Sequence, residues 1–265
     1  MPDRSDLAKP SDAAWDKVWT DDPYRRPSLR SERARSKVAA FIAMGLKIEA
    51  ADRVLDLGCG SGHTLIEANE VAPASSIRNG SVVAGRLVAC DISKVATRLA
   101  RENFQSAGLE VALFCADAAQ LPLRDESFDI VLASMVLQHV HDEARVLSEI
   151  DRVLARGGRV FVVASCRRSI TSGLQTLRRH LTKTSLPADR QSYSAPQLVA
   201  LMESRFAVTG WRLWHSGPDR RILGAIDRTL ARILPLWGRY IVVAASPRSL
   251  SARRPRLCIT KTEGT

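Results

Sequence analysis

The stretch RVLDLGCGSG, residues 53–62, joins a short apolar run to a turn that carries three glycines within five positions. Glycine lets a backbone approach a ligand closely, because it has no side chain and tolerates positive φ angles. Turns of this kind after a strand often hold phosphate groups. The carboxylate of Asp56, two residues before the first glycine, would repel a phosphate. The stretch therefore predicts a ligand that presents positive charge to Asp56.

Two phosphate-binding motifs begin with a similar glycine pattern, and neither fits. A dinucleotide fingerprint requires G-x-G-x-x-G, whereas here the third glycine, Gly62, comes one position early and His63 follows it. A P-loop requires a lysine directly after its last glycine, and the sequence has none there. The pattern thus favours a ligand that needs close backbone approach and carries no phosphate.

The stretch VLDLGCGSG resembles the nucleotide-loop motif of the class I S-adenosylmethionine-dependent methyltransferases, in the group that includes ubiquinone and menaquinone methyltransferases. S-adenosylmethionine has no phosphate and bears an ammonium at its methionine end, as the loop requires. Three more phrases follow in the family's order: RLVACDIS, CADAAQLPLRDESFDIVLAS and EIDRVLARGGRVFVV.

The resemblance implies roles for individual residues. Asp91 is expected to hold both ribose hydroxyls, because a carboxylate can accept two hydrogen bonds, and Asp117 is expected to contact the adenine amino group. Taken singly, either acid could instead cap a strand end, and Cys59 is expected to be a small buried residue rather than a reactive thiol. The implied donor site comprises Asp56, Gly58, Cys59, Gly60, Gly62, Asp91, Ile92, Asp117, Ala118 and Ser134.

The acceptor side of the site is less defined by the sequence. Methyl transfer from a sulfonium is an in-line displacement that needs alignment of donor and acceptor and no metal, and the sequence shows no metal-ligand cluster. A general base is needed only when the acceptor holds a proton of high pKa. His139 is the candidate base, and a packing or hydrogen-bonding role is the alternative.

The resemblance also implies that segments outside the central sheet cover the acceptor, here residues 10–30 and 167–192. Trp15, Trp19 and Tyr24 could stack on a flat acceptor, or they could anchor an N-terminal helix to the core.

The elements that must position these residues alternate along the chain. Near-continuous apolar runs predict strands at 53–57, 86–90, 111–115, 128–134 and 159–165, covered on both faces by helices. The runs at 206–214 and 239–246 predict two closing strands. A helix is expected to begin at the capping residue Ser93, and another is expected to run from 142 to a glycine stop at Gly157. The sequence therefore predicts an α/β, Rossmann-like, doubly wound sheet of seven strands, mostly parallel, with the last strand antiparallel.

The predicted domain organisation has three parts. Residues 1–50 form an N-terminal helical cap, residues 51–246 form the methyltransferase domain with a substrate-lid insertion at 167–192, and residues 247–265 form a basic disordered tail. Gly62 and Asp91 lie 29 positions apart, against about 20 in the dinucleotide-binding fold. The excess falls in residues 71–85, which are rich in turn-forming types and predict an enlarged surface loop.

Charge is distributed unevenly, with a net −4 over residues 51–165 and a net +8 over residues 212–265. Three functions stay open at this point. A small-molecule acceptor, such as a lipid, quinone or natural product, is the leading hypothesis, because the phrases DAAQLPLRDESFDIVLAS and RVLARGG resemble those of quinone-, sterol- and natural-product-modifying enzymes. The basic 174–183 segment would suit a lid over an apolar or anionic substrate, at a membrane surface for example. An RNA acceptor would use the basic C-terminal third. A protein that binds the cofactor without transferring methyl groups is the third.

The N-terminus lacks the apolar stretch of a secretory signal, and no run of apolar residues approaches the roughly 20 that cross a bilayer. The five cysteines form no C-x-x-C pair. These features predict a cytoplasmic protein whose cysteines are structural. Oligomeric state leaves no signal in the sequence.

Overall fold

A computed structural model of the protein describes residues 12–21, 32–49, 51–71, 87–168, 192–214, 229 and 238–248. Several predicted features fall outside these residues: the basic 174–183 segment, nearly all of the 71–85 loop, Tyr24, and all of the C-terminal tail except its first two residues. Within the described part of the chain, no helix is long and apolar enough to cross a membrane.

Seven strands form one sheet in the spatial order β3-β2-β1-β4-β5-β7-β6. Neighbouring pairs among β1 to β5 are parallel, and β7 runs antiparallel to both β5 and β6. The predicted fold class is confirmed, including the antiparallel last strand. The strands are β1 Val54–Leu57, β2 Leu87–Asp91, β3 Ala112–Cys115, β4 Phe128–Ser134, β5 Leu154–Ser165, β6 Phe206–Trp214 and β7 Tyr240–Pro247.

Six helices cover the sheet in the described residues. They are α1 Asp12–Asp21, α2 Glu32–Ala43, α3 His63–Val71, α4 Lys94–Ser106, α5 Glu143–Val153 and α6 Ala195–Glu203. A 3₁₀ turn, Leu137–His139, lies between β4 and α5.

The central strands are apolar throughout because helices cover both faces of the sheet. Every residue of β1 and β2 is buried. One core layer packs α5 and α6 against the sheet, and the other packs α2, α3 and α4. Helix α2 belongs to the second layer, since Val38 and Phe41 are fully buried and the Phe41 ring meets Phe161 of β5 edge-on at 5.9 Å.

Local sequence sets the helix starts as expected. The Ser93 hydroxyl accepts from the Ala96 N–H at the start of α4, and Asp142 caps α5 in the same way through the Arg145 N–H. Ser194 and Gln197 form a capping box on α6. Each side chain satisfies one of the backbone donors that a helix start leaves without a partner.

One predicted boundary is wrong. Helix α5 ends at Val153 rather than at Gly157, and β5 begins at once with Leu154. Leu154 pairs with Phe128 of β4, so the chain gains sheet contacts as soon as it leaves the helix. Gly157, at φ 79°, lies inside this early part of β5, where the register with β4 shifts.

Because the order of strands reverses between β1 and β4, the loops that follow these two strands diverge. A crevice opens between such loops at the carboxyl edge of a parallel sheet, and ligands of doubly wound folds bind there. The residues predicted to do chemistry follow β1, β2, β3 and β4, and they meet at this edge.

Candidate functional site

A cavity of about 540 Å³ lies at the carboxyl edge of the sheet. This volume is in the range of pockets that hold a cofactor or a drug-sized ligand. Eight of the ten predicted donor-site residues line it, together with His139, Trp15 and Trp19. Asp56 and Gly62 do not line the cavity: both are buried, Asp56 within β1 and Gly62 at the end of the glycine loop.

The glycine loop follows β1 with three positive φ angles, 64° at Gly58, 55° at Gly60 and 82° at Gly62. A Cβ atom on Gly60 would lie 2.8 Å from the Trp19 ring, so only glycine allows α1 to pack on the loop. A Cβ on Gly62 would lie 2.7 Å from Phe104 of α4. Gly62 therefore serves close packing between loop and helix, and Gly58 and Gly60 face the cavity.

Cys59 lies between these glycines and lines the cavity. Burial raises the pKa of the Cys59 thiol well above its ordinary value, and the nearby carboxylates act in the same direction. The thiol therefore stays protonated and unreactive, in agreement with the expectation of a small buried residue.

Asp91 ends β2 and bridges two loops. One carboxylate oxygen accepts from the Gly60 N–H at 2.9 Å, and the other accepts from the Ser93 N–H at 3.0 Å. The carboxylate is thereby fixed at the cavity wall between the glycine loop and the start of α4. Each carboxylate oxygen has two lone pairs, so it retains capacity to accept from a ligand hydroxyl.

Asp56 is the most deeply buried acid of the site. Its side chain is inaccessible to solvent, and neither oxygen has a hydrogen-bond partner among the described residues. Burial raises the pKa of Asp56 to about 7; the charge of Lys37 opposes this shift, and the charge of Asp91 adds to it. Lys37, on α2, lines the cavity, so the acid and the base act on each other across the cavity wall.

Asp117 follows β3 and shapes the next loop. Its side chain accepts from the Ala119 N–H at 2.9 Å, and its carbonyl accepts from the Gln120 N–H at 2.9 Å. Asp117 and Ala118 both line the cavity. The loop has the compact form of an Asx turn, which holds the Asp117 carboxylate in one orientation.

An ion-pair network on α5 holds the far end of the Asp117 loop. Glu149 accepts from the Leu121 N–H at 2.7 Å, while Arg152 donates to the carbonyls of Leu121 at 3.0 Å and Leu123 at 2.7 Å. The hydrogen bond from Arg152 lowers the pKa of Glu149. This network positions the loop without touching the cavity.

Ser134 ends β4 at the cavity wall. It is buried, and its hydroxyl oxygen lacks a hydrogen-bond partner within the described ranges. The next residue, Met135, has a φ of 65°, a conformation that costs a non-glycine residue free energy and often marks a functional site. The chain turns sharply there and carries Val136 and the 3₁₀ turn over the cavity.

His139 closes the 3₁₀ turn and lines the cavity. Its ring meets Trp15 of α1 edge-on, with centroids 5.0 Å apart. Its Nε2 atom lies 3.2 Å from the side-chain nitrogen of Gln138. The buried Gln138 is a residue that sequence reasoning missed.

Helix α1 covers the cavity from the N-terminal side. Trp15 contacts the loop that follows β4, and Trp19 contacts the loop that follows β1. Between them in the sequence, Asp16 accepts from the Ser93 hydroxyl at 2.6 Å and from the Val95 N–H at 3.1 Å. The tryptophans therefore both anchor the helix and line the cavity. Sequence reasoning missed Asp16 on α1 and Lys37 on α2. For Asp16 a signal existed, because the spacing of Trp15 and Trp19 indicates the face of α1 that meets the site.

The rim of the cavity is joined to the end of β5. Cys166 and Tyr193 form an isolated parallel bridge, and the Tyr193 hydroxyl donates to the Leu137 carbonyl at 2.9 Å. Cys166 and Tyr193 therefore lie beside the turn that carries His139.

The chain matches known proteins over its central part. Residues 55–162 match a family model described as a methyltransferase domain. The chain is 36% identical over 121 residues to a demethylmenaquinone methyltransferase of Lactobacillus johnsonii, covering 44% of this chain and 46% of that protein. It is 33% identical over 135 residues to a 27-O-demethylrifamycin SV methyltransferase of Amycolatopsis mediterranei, covering 50% of this chain and 46% of that protein.

The chain thus spans about half the length of the curated relatives it matches. Among solved structures, it is similar to one from Thermotoga maritima described as an S-adenosylmethionine-dependent methyltransferase, with a TM-score of 0.56 and 19% identity. That superposition covers 82% of this chain and 89% of the other. At this identity the likeness concerns the fold.

Proposed function

We propose that the chain, whose residues 55–162 match a methyltransferase domain, is a class I S-adenosylmethionine-dependent methyltransferase that transfers a methyl group from S-adenosylmethionine to a small organic acceptor. One observation supports the proposal most strongly. The loops after β1, β2, β3 and β4 present their polar groups on one wall of the cavity, beside the indole rings of α1.

The residues at the wall fit S-adenosylmethionine. The Ser134 hydroxyl at the wall and the Asp56 carboxyl group within β1 are buried polar groups that have no hydrogen-bond partner within the described part of the chain. Such groups are costly unless a ligand satisfies them. The backbone of Gly58 and Gly60 leaves room for a ligand to approach closely.

Each part of the donor then has a partner. When bound, the donor supplies a methyl group on a positively charged sulfur, which is a good leaving group. Asp91 would accept hydrogen bonds from the ribose hydroxyls, and Asp117 with the Ala118 backbone would hold the adenine edge. Lys37 would bind the methionine carboxylate, and Asp56, from behind the glycine loop, would favour the ammonium. The chain's role in the transfer is to align the donor and the acceptor and to exclude water.

A small, largely apolar acceptor suits the rest of the cavity. Trp15, Met135, Val136 and Val140 line it with aromatic and aliphatic surface, next to the imidazole rings of His139 and His141. Such a wall binds flat, apolar molecules well. The names of the relatives, which act on demethylmenaquinone and on a rifamycin, support a quinone-like or natural-product acceptor. The acceptor cover at residues 167–192 remains part of this proposal.

An RNA acceptor has weaker support. Its argument is the net +8 of residues 212–265, and most of that segment lies outside the described residues. A cavity of about 540 Å³ that is reached beneath a helix suits a small molecule better than a polymer.

Incubation of the protein with methyl-labelled S-adenosylmethionine and a cell extract tests the proposal. We expect the label in solvent-extractable products, and we expect Asp91→Asn to abolish it. Label that nuclease releases would favour RNA instead. An absence of label in every fraction, with the donor bound, would favour a protein that does not transfer methyl groups.

A further inference from the structure

Helix α1 contacts both of the residues that hold the Asp91 carboxylate. The two oxygens of Asp91 accept from the N–H groups of Gly60 and Ser93. Trp19 packs on Gly60, since a Cβ atom at that glycine would lie 2.8 Å from the indole ring. Asp16 accepts from the Ser93 hydroxyl at 2.6 Å. One helix therefore reaches both backbone donors that orient this carboxylate.

Ser93 connects α1 to Asp91 through a fully used set of polar groups. Its side chain is buried, and its N–H donates to Asp91. Its Oγ atom accepts from the Ala96 N–H at 3.1 Å. A carboxylate can only accept, so the single hydroxyl proton must point at Asp16. These bonds leave the Ser93 side chain one orientation.

Asp16 makes the outer end of this connection a charged one. The hydrogen bond from Ser93 lowers the pKa of Asp16, so the group is a carboxylate at neutral pH. It also accepts from the Val95 N–H at 3.1 Å, in the first turn of α4, where the helix dipole favours a negative charge. Hydrogen bonds between a hydroxyl and a carboxylate are short and strong. Loss of Asp16 would leave the buried Ser93 hydroxyl without its acceptor.

We propose that Asp16 is a positioning residue for the ribose of the donor: through Ser93 it sets the Asp91 carboxylate to accept from both ribose hydroxyls. The inference rests on the proposed function, in which Asp91 binds those hydroxyls. Trp15 precedes Asp16 in α1 and lines the cavity beside His139. Ribose recognition and this aromatic part of the wall thus belong to one unit, and by linkage each stabilises the arrangement that the other needs.

The two hydroxyls are the part of the donor that should respond to Asp16. In the proposed function, the adenine end is held by the Asp117 loop, which α5 supports, and the methionine end is held by Lys37 of α2. A change at Asp16 should therefore act mainly on the hydroxyl contacts. A purely structural role of α1 would instead weaken every ligand alike.

Two ligands separate these roles. The ratio of the dissociation constants of S-adenosylhomocysteine and its 2′,3′-dideoxy analogue, from calorimetry or from competition with labelled S-adenosylhomocysteine, measures what the hydroxyls contribute. We expect Asp16→Ala to reduce that contribution by about threefold or more. Asp16→Asn keeps an oxygen that can accept from Ser93 but loses the charge, so it should cause a smaller reduction. Lys17→Ala, at an exposed position of α1, should cause none.

Each other outcome counts against the proposal or against the function beneath it. An equal loss of affinity for both ligands in Asp16→Ala, or an unchanged ratio, overturns the positioning role. If Asp16→Ala does not fold, Asp16→Asn decides, and a wild-type ratio in that variant overturns the role. A wild-type protein that binds neither ligand contradicts the proposed function instead.

Hydrogen exchange gives a second readout of the same coupling. In the wild type, saturating S-adenosylhomocysteine should slow exchange in α1 more than the saturating dideoxy analogue does, with exchange in α6 unchanged. In Asp16→Asn the difference between the two ligands should shrink. Equal slowing by the two ligands in the wild type would contradict the link between the ribose and α1.

Discussion

At the residue scale, the charge of Lys37 opposes the rise that burial produces in the pKa of Asp56. Asp56 lies in the interior behind the glycine loop, and Lys37 lies at the cavity wall on α2. Each influences the methionine end of the donor in this account, and each can be tested by a single substitution.

Lys37→Ala should weaken binding of S-adenosylhomocysteine by about tenfold or more, the loss expected of a charge-assisted hydrogen bond. Binding of 5′-methylthioadenosine should change little, because that ligand lacks the amino-acid end. Titration calorimetry with both ligands measures the difference. Lys47→Ala, at an exposed lysine beyond α2, is the matched control. A parallel loss for both ligands would show that Lys37 does not bind the carboxylate.

Asp56→Asn should change how stability depends on pH. Burial raises the pKa of Asp56 from 3.8 to about 7. Between these values Asp56 is ionised in the unfolded chain but protonated in the folded protein. Because the unfolded state thus binds fewer protons, the free energy of unfolding falls as pH rises from about 4 to about 7. The asparagine variant has no such proton. Its stability relative to the wild type should therefore rise over this interval, by on the order of 4 kcal/mol.

Urea unfolding at pH 4, 5.5 and 7 measures this effect, with the ligand-free protein. Glu110→Gln, which removes an exposed carboxylate, should run parallel to the wild type across the range. An Asp56→Asn curve that also runs parallel would contradict the burial of an ionisable group at this position.

At the element scale, α1 and the Asp117 loop are held to the sheet by a few polar contacts. Helix α1 has ten residues, which is too short to be stable alone in water, so its position depends on tertiary contacts. The hydrogen bond from Ser93 lowers the pKa of Asp16, so Asp16 caps α4 as a carboxylate.

Asp16→Ala should release α1 from the start of α4. Loss of a capping carboxylate costs about 1 kcal/mol, and we expect faster hydrogen exchange in α1 and weaker S-adenosylhomocysteine binding, with exchange in α6 unchanged. Mass spectrometry of the exchanged peptides measures this. Lys17→Ala, on the same helix but exposed, should have no such effect. Unchanged exchange in α1 would mean that other contacts hold the helix.

Arg152→Ala should loosen the loop that carries Asp117. The arginine donates to two loop carbonyls and to Glu149, and the loss of these bonds should lower the free energy of unfolding by about 1–3 kcal/mol. Affinity for 5′-methylthioadenosine should fall as well, because the adenine contacts become less fixed. Arg156→Ala removes an ion pair whose arginine is 90% exposed and should leave both quantities unchanged. Equal effects of the two substitutions would contradict a positioning role.

At the scale of the whole molecule, the sequence predicted the sheet well because its signals are local. Continuous apolar runs marked β1, β2 and β4, whose positions are almost all buried, and Ser93 marked the start of α4. The start of β5 was missed because residues 155–158, ARGG, have turn-like composition. Only the pairing of Leu154 with Phe128, a long-range contact, places them in a strand.

The same distinction applies to the site. Motif residues such as Asp91 and Asp117 could be named from their spacing. Asp16, Lys37 and Gln138 could not, because their roles depend on where α1, α2 and the end of β5 pack against the loops. Helical periodicity indicates which face of a helix is buried, but it does not indicate which loop that face meets.

The central claim is that the cavity at the carboxyl edge of the sheet binds the methyl donor through Asp91. Calorimetric titration of the full chain with S-adenosylhomocysteine tests it most directly, alongside Asp91→Asn, whose thermal unfolding is checked in parallel. The account predicts one binding site per chain in the wild type and at least a tenfold loss of affinity in the folded variant. Two results would contradict it. One is a wild-type protein that gives no binding heat at several temperatures and does not compete with labelled donor. The other is an Asp91→Asn variant whose affinity equals that of the wild type.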